Sequence, residues 1–447
     1  MYDSISVEEL KTPAVVLCNE GFLDDAVLAA SRKGLPGLRI IPESVPCESS
    51  MVEEVERGIN PVLDQIIDGL IKPLSPEEEF PKAVEFETPT RIIFKGNLEE
   101  VNRFFYKRGW TDGLPIIPPT ESAVAEMLMG TDLPPDHILG AINPRLGKAT
   151  IEKIAINAVM AGALPTYMPI LIAAVKALLE PRTMSSTYMV STGSWAPLWI
   201  INGPVCSDLR INSGSGALSP GDIANAAIGR AMSLIIRNIG GARKGLEDMG
   251  VFGNPCKYTM VLGENEEHSP WEPMHVEYGF NKQDSTVTVF FPNSFFQIYP
   301  YGTDDKGILS SMIYNVLPSR SGLLCILLPP PVAKALAEKG WKKKEISNFF
   351  SMYARVPANH HPSYWGASRG DIRKETVPIN PTDPVPVIRN PDWIRILVAG
   401  GPGSFIGLFA GSALGQTDWV TQRIEIPTHW NKLVNKYKSV VPIYKKD

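Results

Sequence analysis

The spacing of apolar and polar positions divides the chain into strand-then-helix units at both ends. Residues 14–18 and 38–41 are short apolar runs of buried-strand length. Between them, 24–33 has helical spacing, and Gly34-Leu-Pro-Gly37 ends the helix. Val55, Ile59, Val62, Ile66, Ile67 and Leu70 recur at helical intervals, predicting a helix over 51–71. Residues 73–81 combine charge with proline and show no period, as a linker does, and 91–94 predicts a strand.

A second region begins at Asn97, a residue suited to cap a helix over 98–108. Residues 109–120 are extended and turn-rich, and helices follow over 119–129, 150–161 and 168–179. Strands are expected at 187–190 and 197–201, then a long helix over 222–239 ended by Gly240-Gly241. In the C-terminal third, 323–328 is a strand, Pro330-Pro331 opens a helix to about 339, and 344–354 is another helix. A long irregular stretch, 356–390, precedes a strand at 393–399. The fold expected is α/β: a small N-terminal α/β domain (1–80) and a larger α/β domain (81–447) divisible near 310.

Hydrophobic content of 44% and charged content of 20% predict a packed core. A net charge of -5, without a Lys/Arg block, argues against nucleic acid as a partner. The acidic N-terminus lacks the apolar core of a signal peptide, and no stretch of about 18 uninterrupted apolar residues predicts a membrane span. The 5 cysteines are widely spaced and form no CxxC, which fits a reducing cytoplasm and no disulfide framework.

The densest candidate chemistry lies between Gly263 and His275. Glu264, Glu266, Glu267 and Glu272 accompany His268, His275 and Trp271, on a loop leaving a β-prone run. The plainer reading is a structured polar loop. The spacing of these groups matches no standard metal-ligand motif, so no metal ligand is assigned. Gly109-Trp-Thr-Asp-Gly-Leu-Pro115 sets Asp112 on a tight turn beside Trp110, either as a turn residue or as an acid–base group. Asn202, Asn212 and Asn225 extend the polar set, and Arg230 shares a helix with Asn225. An Asn inside an Ala/Ile helix is costly unless bonded, and Arg230 has the fork that suits a carboxylate. Cys47, between a strand and a helix, is a candidate thiol, with a buried inert Cys the alternative. Gly400-Gly-Pro-Gly-Ser404 fits neither a Walker loop nor GxGxxG, and no cofactor is identified.

Taken together, these stretches resemble the UGSC-type (seleno)protein family, named for a selenocysteine-Gly-Ser-Cys motif. The resemblance is carried by Gly21-Phe22, Gly34-Leu-Pro-Gly37, Gly109-Trp-Thr-Asp-Gly-Leu-Pro115, Ala155 to Gly162, Asn202-Gly-Pro204, Asn225 to Arg230, Glu264-Asn-Glu266, Ser269-Pro-Trp271 and Gly340-Trp341. The first segment is similar, more distantly, to the selenocysteine subunits of glycine and proline reductases, where a selenol or thiol cleaves a substrate bond reductively. The chain itself contains no Cys-Gly-Ser-Cys. In the family that motif lies just upstream of the segment resembling 7–18, which would place it before Met1, so the resemblance implies either that a separate chain carries it or that this protein has lost that chemistry. Ala163 stands where the resemblance leads us to expect Cys.

Three readings follow. The first is an enzyme subunit acting on a small polar or carboxylated molecule, with Asp112, Glu264, Glu266 and His275 as acid–base groups and Cys47 as a thiol candidate. Trp110, Asn202, Asn212, Asn225, Arg230 and Trp271 bind the substrate, and a partner chain bearing Cys-Gly-Ser-Cys supplies any further thiol or selenol. The second is a non-redox lyase or hydrolase using the same carboxylates. The third is a non-catalytic scaffold. A homo- or hetero-oligomer is expected in each.

Overall fold

The computed structural model describes residues 2–45, 52–79, 91–300, 304–318, 322–361, 380–411 and 418–442. The fold is α/β, in two compact units: Met1–Lys95 with Pro144–Leu146, and Gly96–Asn143 with Gly147–Asp447.

In the first unit, α1 (Tyr2–Glu9), β1 (Val15–Asn19), α2 (Leu23–Arg32) and β2 (Arg39–Glu43) precede α3 (Val52–Ile59), α4 (Leu63–Ile71) and α5 (Pro76–Glu79). Strands β1 and β2 pair in parallel, Val15 opposite Arg39, so α2 is the crossover that a parallel pair requires. Ile5, Val16, Cys18, Ala26, Ala30 and Leu38 form the core. The helix expected over 51–71 is interrupted by a 3₁₀ turn at Asn60–Val62, because Pro61 has no N–H to give and its ring crowds the preceding turn. Arg39 then donates to the carbonyls of Gly69 (2.9 Å), Lys72 (2.6 Å) and Pro73 (2.9 Å), closing the end of α4. The expected linker carries the short α5. The strand expected at 91–94 does not form; Ile92 and Ile93 stay exposed, without the burial that would favour pairing.

The second unit opens with α6 (Leu98–Lys107), α7 (Glu121–Leu128), β3 (Ile138–Ile142), β4 (Gly147–Thr150), α8 (Ile151–Met160) and α9 (Met168–Leu179). Asn97 caps α6 in a capping box with Glu100. Next come α10 (Ser185–Tyr188), β5 (Leu198–Asn202), α11 (Val205–Leu209), α12 (Ile223–Ile235), β6 (Val261–Gly263), α13 (Met274–Glu277), β7 (Thr286–Phe290) and β8 (Ser294–Ile298). The chain finishes with α14 (Asp305–Tyr314), β9 (Leu324–Leu328), α15 (Pro330–Glu338), α16 (Lys343–Tyr353), β10 (Arg355–Pro357), β11 (Pro384–Pro386), β12 (Ile394–Val398), β13 (Ile406–Ala410), β14 (Val420–Arg423) and α17 (Trp430–Tyr437). The strand expected at 187–190 is instead the helical turn α10. Met184, at φ 53°, turns the chain into it, and Tyr188 is buried against Trp195 and Phe291.

Two four-stranded sheets, ordered β14-β7-β5-β6 and β12-β9-β13-β8, lie face to face. Alternation along each strand explains the layering. In β5, Trp199 and Ile201 join the helical core of α8, α9 and α12, while Leu198 and Ile200 meet Cys325, Leu327, Leu397 and Phe409 of the opposite sheet. On the far side, Leu324, Ile326, Ile394, Ile396 and Leu408 pack on α14, α15 and α16. The result is four layers, helix–sheet–sheet–helix. Among the described residues no helix is long and apolar enough to cross a membrane.

Candidate functional site

Strands β5 and β6 run parallel, and the chain leaves both at the same end of the sandwich. β5 ends at Asn202, followed by Gly203 in the left-handed region (φ 87°), where a Cβ would strike the carbonyl of Asp284. β6 ends at Gly263, and the acidic loop begins. Its backbone is pinned to both sheets: Glu264 N donates to Ile201 O (3.1 Å) and Asn265 N to Val398 O (2.8 Å). The strand ends of an open α/β sheet are the usual seat of a ligand.

Glu264 is buried and accepts three donors. They are Asn202 Nδ2 (2.6 Å), the backbone N–H of Met274 (2.8 Å) and Lys343 Nζ (3.3 Å). Lys343, also buried, donates further to Glu272 O (2.7 Å) and pairs with Glu277 (3.2 Å). A buried charge needs such compensation to be tolerated. Glu266 is partly open to solvent and accepts from Gly203 N (2.7 Å) and Asn202 Nδ2 (3.1 Å). Its Oε1 lies 3.7 Å from His275 Nδ1, too long for a hydrogen bond.

This network is incomplete. Asn202 Oδ1, both nitrogens of His275 and Thr286 Oγ1 are buried with no hydrogen-bond partner among the described residues. Asn202 and Thr286 stand opposite each other across β5 and β7, so their side chains share one face as close neighbours. Native proteins seldom leave buried polar atoms unpaired, so these atoms have bonding capacity open to a water or a small ligand. Cys206, on α11, faces the same acids. Burial, then the charges of Glu266 and Glu264, push its thiol well above the usual range, and Sγ donates to Ile201 O (3.3 Å). Burial likewise raises the thiols of Cys256 and Cys325. These three are therefore protonated and poorly nucleophilic at neutral pH. Cys47 lies outside the described residues.

The other expected residues fall into separate hydrogen-bonded groups. Asp112 receives the Arg230 guanidinium in a fork (2.8 and 2.9 Å), and Arg230 also donates to Pro115 O (2.8 Å). Burial favours the neutral carboxyl, but the Arg230 hydrogen bonds and charge outweigh it and hold Asp112 below its ordinary value. Trp110 packs edge-on against Phe104 and Phe105, and its carbonyl accepts from Asn238. The Asn225 side chain accepts from Asn212 N and donates to the carbonyls of Asn212, Ala217 and Val261. Asn212 Nδ2 in turn donates to Asp222 (2.7 Å) and Ser215 O. These two Asn side chains hold the 212–217 loop against α12 and β6. Trp271 packs on the outer helical layer and donates to Trp341 O (2.9 Å).

Lys343, Cys206 and Thr286 were not apparent as site residues from sequence. For Lys343 a signal existed. Lys342-Lys343-Lys344 opens a helix, where the dipole disfavours cations, so one of them calls for a buried acid. No three His, Cys, Asp or Glu side chains among the described residues are placed to share a metal ion.

No curated protein and no solved structure matches the chain. Residues 1–72 match the UGSC family, so the chain carries a UGSC-type segment.

Proposed function

We propose that the chain is an enzyme, or the substrate-handling subunit of one, that acts on a small polar or carboxylated molecule by acid–base chemistry at Glu266 and His275. One observation carries this reading. The His275 imidazole is fully buried, has no hydrogen-bond partner among the described residues on either nitrogen, and sits 3.7 Å from a carboxylate that keeps contact with solvent. In this arrangement Glu266 exchanges a proton with the substrate while His275 binds or relays it, and Glu264, fixed by Asn202 and Lys343, holds the loop. The raised thiols of Cys206, Cys256 and Cys325 argue against these three as nucleophiles, and the reading favoured for the isolated protein is a lyase or hydrolase.

A second reading rests on the UGSC match over residues 1–72. Here a partner dithiol or selenol–thiol pair cleaves a substrate bond, supplying two electrons and ending as a disulfide or selenosulfide. Apolar Leu17, 43% exposed in the middle of β1, is consistent with a covering partner, either a second copy or a Cys-Gly-Ser-Cys chain. A strictly monomeric particle at micromolar concentration, with no binding to such a chain, would remove the partner.

The test is a screen of small polar metabolites, followed by NMR with the full chain, with and without dithiothreitol. Conversion without the dithiol, lowered about 100-fold or more by Glu266→Gln in a folded variant, is the result expected. Conversion only with the dithiol selects the second reading. Full activity in Glu266→Gln would refute the assignment of that residue.

A further inference from the structure

A cleft of about 530 Å³ opens in the second unit beside α12, away from the incomplete network in its lining residues. That size is ordinary for a small-molecule site. Part of the lining is aromatic and buried by its own packing. Tyr188 stacks on Phe291 (centroids 5.0 Å, planes 18° apart) and tilts against Trp195 (4.8 Å). The charged part of the lining holds two acids, Asp112 and Asp248, and three bases, Arg237, Lys244 and Lys257. Asp112 is committed to Arg230, and Asp248 to Lys257 (2.5 Å). Arg237 and Lys244 remain. Arg237 spends only Nε on the protein, donating to Gly109 O (3.0 Å), and no acceptor among the described residues lies within hydrogen-bond reach of its two Nη groups. No carboxylate among the described residues pairs with Lys244 either. Arg237 occupies a π-helical turn, Ile236–Gly240, that follows α12. Such turns cost backbone geometry and recur at functional sites.

We propose that this cleft binds a small aromatic carboxylate. The ring lies against the edge of Trp195 and the half-exposed Tyr258, with Tyr188 and Phe291 packed behind Trp195, and the carboxylate takes the free Nη fork of Arg237 with Lys244 nearby. Burial lowers the Arg237 pKa from its ordinary value, the charges of Asp112, Asp248 and Glu247 offset part of the effect, and an anion in direct contact would relieve more of that cost. A nucleotide is a poorer match, because one guanidinium and one exposed lysine are few donors for a polyphosphate. The inference is independent of the acid–base reading, since it uses neither Glu266 nor His275.

Calorimetric titration of the full chain with indole-3-acetate and indole-3-acetamide tests it. The two probes share a ring and differ in charge. The acid is expected to bind at least about tenfold more tightly than the amide, the worth of a charge-assisted bond, and Arg237→Gln is expected to erase that preference. Should Arg237→Gln fail to fold, because Gly109 loses its donor, the exposed Lys244→Glu serves instead. It is expected to weaken the acid about fivefold or more and leave the amide unchanged. Equal binding of the two probes, no binding of either, or a preference that survives the folded variants would overturn the proposal.

Discussion

Asp112 with Arg230 and Glu264 with Lys343 are both carboxylate–cation pairs drawn from distant sequence, 118 and 79 residues apart. They differ in what is left over. The first pair closes on itself: the guanidinium fork fills both oxygens of Asp112, and its spare N–H takes the carbonyl of Pro115. The second sits among buried atoms of Asn202, His275 and Thr286 that have no hydrogen-bond partner among the described residues. An ion pair alone does not mark a functional site, since it can simply fasten a turn to a helix. Unspent hydrogen-bonding capacity beside one is the more telling sign.

The sharpest way to break this contrast is to remove Lys343. Lys343→Met strands Glu264 and Glu277 as uncompensated acids, and should cost about 3–5 kcal/mol in denaturant unfolding. The double variant with Glu264→Met should recover much of that loss. A single-variant cost below about 1 kcal/mol would mean that the pair is not what holds the loop.

Asp112→Asn should cost less, about 2 kcal/mol, the worth of charge-assisted hydrogen bonds at a partly buried site. Its pH dependence follows from the sign of the shift. Burial raises the Asp112 carboxyl, the Arg230 bonds and charge lower it by more, and its folded value lies below the unfolded one of about 3.9. The contribution is therefore complete above about pH 4 and is lost as pH falls through the folded value. Melts of wild type and variant should differ at neutral pH and converge in acid. A gap that persists unchanged in acid would show that the fork is not its source.

His275→Phe should have the smallest effect on stability, within about 1 kcal/mol, because no hydrogen bond is lost and a buried unpaired group is removed. A loss above about 3 kcal/mol would mean that the imidazole is bonded in the folded protein after all, and the contrast with Asp112 would fail.

Sequence made the elements with one strong period easy to read. The helices at 98–107, 151–160, 168–179 and 223–235, and the apolar strands β5, β9 and β12, stand close to where spacing put them. Strands β7 and β8 were not foreseen, although Thr286-Val-Thr-Val-Phe290 carries the β-branched alternation of a strand; what its pattern does not give is burial on both faces, which comes from the sandwich. The acidic loop was legible as a cluster because its residues are neighbours in sequence. Its cation was not, because Lys343 arrives from the opposite sheet's helical layer, and only the fold brings it to Glu264. Asn225 was conspicuous for the right physical reason, an amide placed inside an apolar helix. Its four bonds go to neighbouring backbone, a destination that depends on where the 212–217 loop returns.

The return of the chain at β14 and α17 has a consequence for how the protein is made. Strand β14 is the outer partner of β7, and Trp430, Leu433 and Tyr437 of α17 belong to the core built by α8, α9 and α12. Tyr437 donates to Glu126 (2.5 Å) and Trp430 to Asp208 (2.7 Å), both encoded far earlier. During synthesis, the first sheet therefore waits with an open edge and an uncovered apolar patch while the whole second sheet is translated. Long-range pairing of this kind is slow and leaves aggregation-prone edges exposed. The nascent second unit should depend on chaperones until residues 420–437 have cleared the ribosome. A truncation before Val420 should yield insoluble protein even though most of both sheets is present.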